Sequence, residues 1–169
     1  MHLRLHIRLK GLATETTGQE IAEAAIVLPV FFLILLGIIW SGRAYNAYAT
    51  VTHAAAEGAR AAVTPTCATC TNSFPTNAAV VTVVTTILQA SRLDAGQIRV
   101  PTTPDPPAPA VCTTTSAIRV CRGVQLNVAA SDNPQIYGIS VSFRYQYSLL
   151  TMNFQTINLQ ASGVARVED

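Results

Sequence analysis

The sequence predicts an α+β chain. A long N-terminal transmembrane helix continues into a small exported domain with a second helix and a three- to four-stranded antiparallel sheet. Three observations carry this reading. No side chain from Ala24 to Gly42 is charged, and about 20 such residues span a bilayer core as a helix. An alanine-rich helical pattern then runs on, without a break, to Thr64-Pro65. The last third alternates apolar and polar residues, the signature of half-buried strands. Composition excludes other classes. The chain is 50% hydrophobic and 12% charged, against about 25% charged in ordinary globular chains, so disorder of the whole chain is excluded. Eleven basic and nine acidic residues leave a net charge of +2. The basic residues are scattered, so no nucleic-acid partner is expected.

Residues 1–18 form a basic leader with Arg4, Arg8 and Lys10, plus His2 and His6. By the positive-inside rule it stays in the cytoplasm, and residues after Arg43 lie outside. Trp40, Tyr45 and Tyr48 follow the apolar run, where amphipathic rings favour the interface. A soluble core helix rarely runs this long without a charge. A secretory signal peptide has a shorter apolar core, of about 7–15 residues, closed by a small-residue cleavage site. No such site closes the run before Arg43. One helix is therefore expected from about Gln19 to Val63, roughly 65–70 Å long. Pro65 stops it, by clashing with a continuing helix and biasing Thr64 out of helical geometry.

Glu23 falls inside the start of the apolar run. A carboxylate there is expensive and points to function unless it simply snorkels to the interface. Gly18 precedes Gln19, and Glu23 is the fifth residue counted from Gln19. A basic leader, a glycine, a glutamate at that spacing and a long apolar helix together resemble a type IV prepilin. The resemblance implies that a prepilin peptidase cuts after Gly18. It also implies that Glu23 pairs with the new ammonium group at Gln19 of a neighbouring subunit. A buried charge is tolerable when so paired.

A narrower likeness covers residues 18–63. Glu23, Leu28-Pro29, Gly37, the Arg43-Ala44-Tyr45 exit and Ala55-Ala56-Glu57-Gly58-Ala59-Arg60 resemble the TadE-like family of the tight-adherence (Tad, or Flp) pilus. Glu20 adds a second acid beside the proposed cut. Glu23 has the family's count and lies deeper. Pro29 removes one helical hydrogen bond and frees the Ala25 carbonyl. It is either a harmless kink or a point of bending when a subunit leaves the bilayer for a filament. Glu57 and Arg60 share a helix face and are expected to pair weakly.

The exported part, 65–169, begins with a turn-rich loop. A second helix is expected from Asn77, taken as its cap, with a stripe of Val80, Val81, Val84, Ile87, Leu88 and Ser91. Arg92 and Gly96 close it. Gln97–Val100 is a candidate short strand. The loop 101–110 holds five prolines and has no ladder to join. Strands are expected along Val124, Leu126, Val128 and Ala130, along Ile139 to Tyr147, and along Ile157 to Val167. Asp132-Asn133-Pro134 marks a turn between the first two. The apolar face of the sheet needs a cover. The alanines of the first helix allow a close one.

Cys67, Cys70, Cys112 and Cys121 all fall in the exported part. An even count there reads as disulfides, with three connectivities open. Cys67-x-x-Cys70 lies in a Thr-rich loop rather than at a helix start, which weakens a redox reading. The second pair, nine apart, is poorly spaced for zinc. His53 is the one histidine beyond the leader, and no catalytic set forms around it. No enzyme activity, metal or cofactor is expected.

The family resemblance implies a pseudopilin or minor pilin in Tad pilus assembly for adhesion, held in the bacterial inner membrane with the C-terminal domain outside. Its partners would be the prepilin peptidase, other Tad pilins and minor pilins, the inner-membrane assembly platform and membrane lipid. The competing readings are a single-pass anchored binding domain that never enters a filament, and an envelope thiol oxidoreductase working through Cys67 and Cys70.

Overall fold

The structure is a computed structural model that describes residues 16–65, 73–127, 135–148 and 156–167, with side-chain surroundings from residue 21 onward. The chain divides into two compact units, Met1–Gly42 and Arg43–Asp169. Helix α1, Thr16–Val63, contributes to both. It is continuous through Pro29 and starts three residues before the expected Gln19.

In the first unit α1 is apolar all round and wholly uncovered. Ile21, Ile26, Leu33 and Ile38 are each more than 60% exposed. A helix of this kind is stable only when lipid or other helices surround it.

The second unit is two helical segments laid on one face of an antiparallel sheet. Helix α2 is Asn77–Ala90, and its cap is Thr76 rather than Asn77: the Thr76 hydroxyl accepts from the Ala79 amide at 3.3 Å. Val80, Val84 and Leu88 are its buried stripe, with Val81 and Ile87 half-covered. The helix ends at Ala90 with Ser91 as its cap, and the chain turns away at Arg92 (φ 59°), before Gly96. The Arg92 and Leu93 amides donate to the Gln89 and Leu88 carbonyls, closing the orphan acceptors of the last turn. Gly96 instead lies in a short 3-10 turn, 95–97, capped by the Asp94 carboxylate.

The strands are β1 (Ile98–Arg99), β2 (Val111–Thr115), β3 (Ile118–Gln125), β4 (Tyr137–Ser148) and β5 (Thr156–Arg166). β4 is central, with β5 along one side and β3, then β1, along the other. β2 pairs with β3 outside it. Ile139, Val141, Phe143 and Tyr145 of β4 are buried, and the alternation on β5 buries Ala161 and Gly163, as the sequence predicts.

Two strands differ from expectation. The β2–β3 hairpin turns on Ser116 and Ala117, both at positive φ (49° and 63°), between paired Thr115 and Ile118. This is the two-residue geometry that Asn-Gly usually marks, so Ser-Ala gave no turn signal. β3 also begins earlier than the Val124 stripe. Its pairing shifts between Arg122 and Val124, at Gly123 (φ 73°). Such a bulge reverses which residues face the core. Val120 therefore pairs with core Val141, whereas Val124 pairs with Gly138 on the other face. Val128, Ala130 and the Asp132–Pro134 turn lie outside the described residues.

The packing of helix on sheet is close because both sides are small. Ala54, Ala55, Ala59 and Ala62 of α1 are fully buried. A methyl group placed on Gly163 would stand 2.2 Å from the Ala55 carbonyl oxygen. Gly58 makes the matching allowance beside Val84 and Val141.

The opposite sheet face is covered too. Arg119, paired with Ser142, donates to the carbonyls of Thr103 and Pro101 at 2.7 and 3.3 Å and meets the Asp105 carboxylate at 3.0 Å. Gln160 of β5 bonds Thr102 and Thr103. The proline-rich loop is thus a strap pinned from β3 to β5, across β4. It explains why Ser140 and Ser142, on the nominally polar face, are buried.

Candidate functional site

The sequence residues assigned to processing and pairing lie at the start of α1. Gly18 and Gln19 are helical; their side-chain surroundings, and those of Glu20, lie outside the described residues. Glu23 is exposed, one turn beyond Gln19. Ile21–Val63 is the single candidate membrane span among the described residues, and none of its most apolar stretch is buried. The carboxylate of Glu23 is therefore presented from an apolar, uncovered helix. Covering such a helix with lipid or other helices would remove water and strengthen the attraction of this carboxylate for a cation.

At the other end of the apolar run, entirely within the second unit, lies a groove of about 310 Å³. Arg43, Asn46 and Thr50 line it from α1, at the i, i+3, i+7 spacing of one helix face. Ser91 and Arg92 line it from the end of α2, and Tyr147 from β4. No carboxylate is among its lining residues. Sequence reasoning singled out Arg43 as the exit from the span and passed over Arg92 as a helix terminator. Their convergence depends on how α2 docks, which no local pattern encodes.

Cys112 and Cys121 are disulfide-bonded across the β2–β3 pair. Their sulfurs lie near the Asp105 carboxylate, all within 4.8 Å. Sulfurs joined to each other are not thiolate ligands, and Asp105 is held by Arg119, so this cluster is a structural staple. The bond leaves Cys67 and Cys70 only each other as partners within the chain. Both lie outside the described residues. Glu57 and Arg60 form the expected pair at 2.7 Å, with His53 3.8 Å from the same carboxylate. Burial pushes the Tyr145 phenol above the ordinary tyrosine pKa, and a backbone hydrogen bond from Asp94 acts in the opposite direction.

Residues 18–60 match the family described as TadE-like protein. The N-terminal segment is TadE-like. The match covers Gly18, Glu23, Pro29 and the alanine-rich stretch through Arg60, and ends before α2. The TadE-like family is one of pilin-type structural proteins, and the matched segment holds most of the candidate membrane span. No curated protein and no solved structure matches the chain.

Proposed function

We propose that the protein is a TadE-like pseudopilin or minor pilin of a Tad pilus. It is cut after Gly18 by a prepilin peptidase and held in the inner membrane by the TadE-like segment. Its C-terminal domain is displayed outside, and its mechanism is noncovalent. The observation that carries the reading is the uncovered apolar helix that bears Glu23 five residues into the chain starting at Gln19. Cleavage would create an ammonium group at Gln19. In a bundle of such helices, the carboxylate of one subunit would face the ammonium of the next. Pairing makes each charge tolerable in apolar surroundings. Other Tad pilins, minor pilins and the assembly platform would supply the neighbouring helices. Adhesion would be the work of the assembled pilus rather than of a catalytic site.

The test is Glu23→Ala in the pilus-producing cell. Losing one partner of a buried pair costs about 3–5 kcal/mol, so cleaved protein should accumulate while its incorporation into assembled pili falls at least tenfold. Normal incorporation of the variant would remove the pairing role and favour an anchored domain that never enters a filament.

A further inference from the structure

We propose that the groove between α1 and the end of α2 is a binding site for the phosphate group of an anionic phospholipid in the outward-facing leaflet. This rests on the membrane reading above and adds a ligand to it. Three independent observations point to it. The first is position. Arg43 is the first charged residue after the run that begins at Ala24, so a spanning helix puts it at the headgroup level. The second is chemistry. Two guanidinium-bearing residues, an amide and three hydroxyl-bearing residues line the groove without a carboxylate. Arginine forks match phosphate oxygens in a bidentate way. The volume, about 310 Å³, sits at the lower end of small-ligand pockets.

The third is the backbone of Arg92. Its φ of 59° is left-handed, at the position after a helix where glycine or asparagine is preferred. Glycine would suit this backbone position at least as well, so the turn itself does not call for an arginine side chain. The α2 carbonyls at this end are already capped by the amides of residues 91–93, so the turn does not need the guanidinium for that purpose.

The test uses the full chain in nanodiscs of mixed zwitterionic and anionic phospholipid. Trp40 is the single tryptophan and stands three residues before Arg43 in the sequence, so its fluorescence reports the lipids at the end of the apolar run. Acyl-brominated anionic lipid is compared with acyl-brominated zwitterionic lipid at equal mole fraction. Stronger quenching by the anionic lipid is expected, with enrichment of about fivefold per arginine engaged. Arg92→Gly should lower that selectivity without lowering the melting temperature, because glycine suits the left-handed position. Arg43→Gln should lower it as well, and Arg60→Gln should not. Equal quenching by both lipids, or selectivity unchanged in Arg92→Gly and Arg43→Gln, overturns the site and leaves the membrane reading intact. Quenching by neither lipid overturns the membrane reading itself. Selectivity abolished by inorganic phosphate would assign the groove to a soluble anion and overturn the lipid.

Discussion

Gly163→Ala tests how closely α1 is seated on the sheet. The added methyl would stand 2.2 Å from the Ala55 carbonyl oxygen, 2.4 Å from its carbon and 2.5 Å from the Ala56 nitrogen. All three are backbone atoms of a helix, so no rotamer change relieves them. Reaching even 3.0 Å from the oxygen requires about 0.8 Å of movement by helix or strand, which loosens the contacts of buried Val51, Ala54, Ala55 and Ala59. Overpacking of this kind costs about 1–3 kcal/mol. Rigid neighbours place this case near the top of that range, and the backbone gain of alanine over glycine offsets about 0.5–1 kcal/mol. A net loss of about 2 kcal/mol is expected, a fall of roughly 5–10 °C in melting temperature for a domain of this size. The assay is thermal unfolding of the detergent-solubilised full chain, followed by near-ultraviolet circular dichroism. Gly37→Ala, where nothing lies within 4 Å, is the control and should not destabilise. A Gly163→Ala chain as stable as the parent would refute the helix-on-sheet packing.

Two further predictions concern the same domain. Replacing Cys112 and Cys121 together by alanine frees a loop with a sequence separation of nine and should cost about 2.5 kcal/mol on loop-entropy grounds, read as a lower urea midpoint. An unchanged midpoint would show that strap and hairpin hold without the staple. Tyr145 has a raised pKa, mainly from burial. Its neutral form therefore stabilises the fold fully below the ordinary tyrosine pKa of about 10. As pH rises beyond that, the unfolded chain ionises first and this stability is lost. The stability difference between the parent and Tyr145→Phe, constant from about pH 8 to about pH 10, should shrink above it; a constant difference at higher pH would contradict burial of the phenol.

What the sequence reveals here depends on the range of the determining interactions. The long helix is legible because its signal is compositional and continuous, from the uncharged run to Pro65. β4 is legible because Ile139 to Tyr147 alternate without interruption and one face is buried. The β2–β3 hairpin was not, because Ser116 and Ala117 adopt left-handed geometry without being Asn or Gly. The Val124 stripe misled because the bulge at Gly123 reverses the facing of Val124. The strap could not be read either: five prolines announce an extended loop, but its place across β4 is set by Arg119 and Gln160, distant in sequence. For the candidate site, Gly18 and Glu23 are local features in a fixed spacing and so stand out in the sequence. Arg92 joins Arg43 only through tertiary packing.

The central claim is that the chain is a processed, membrane-held pilin-like subunit. Its most direct test is intact-mass and N-terminal analysis of membrane-extracted protein, expressed with and without a prepilin peptidase, in the parent chain and in Gly18→Ala. The account predicts a chain beginning at Gln19 and retained in the membrane when peptidase is present, and an uncut chain for the variant. A parent chain that keeps Met1 with the peptidase present, or one that begins beyond Arg43, would contradict it.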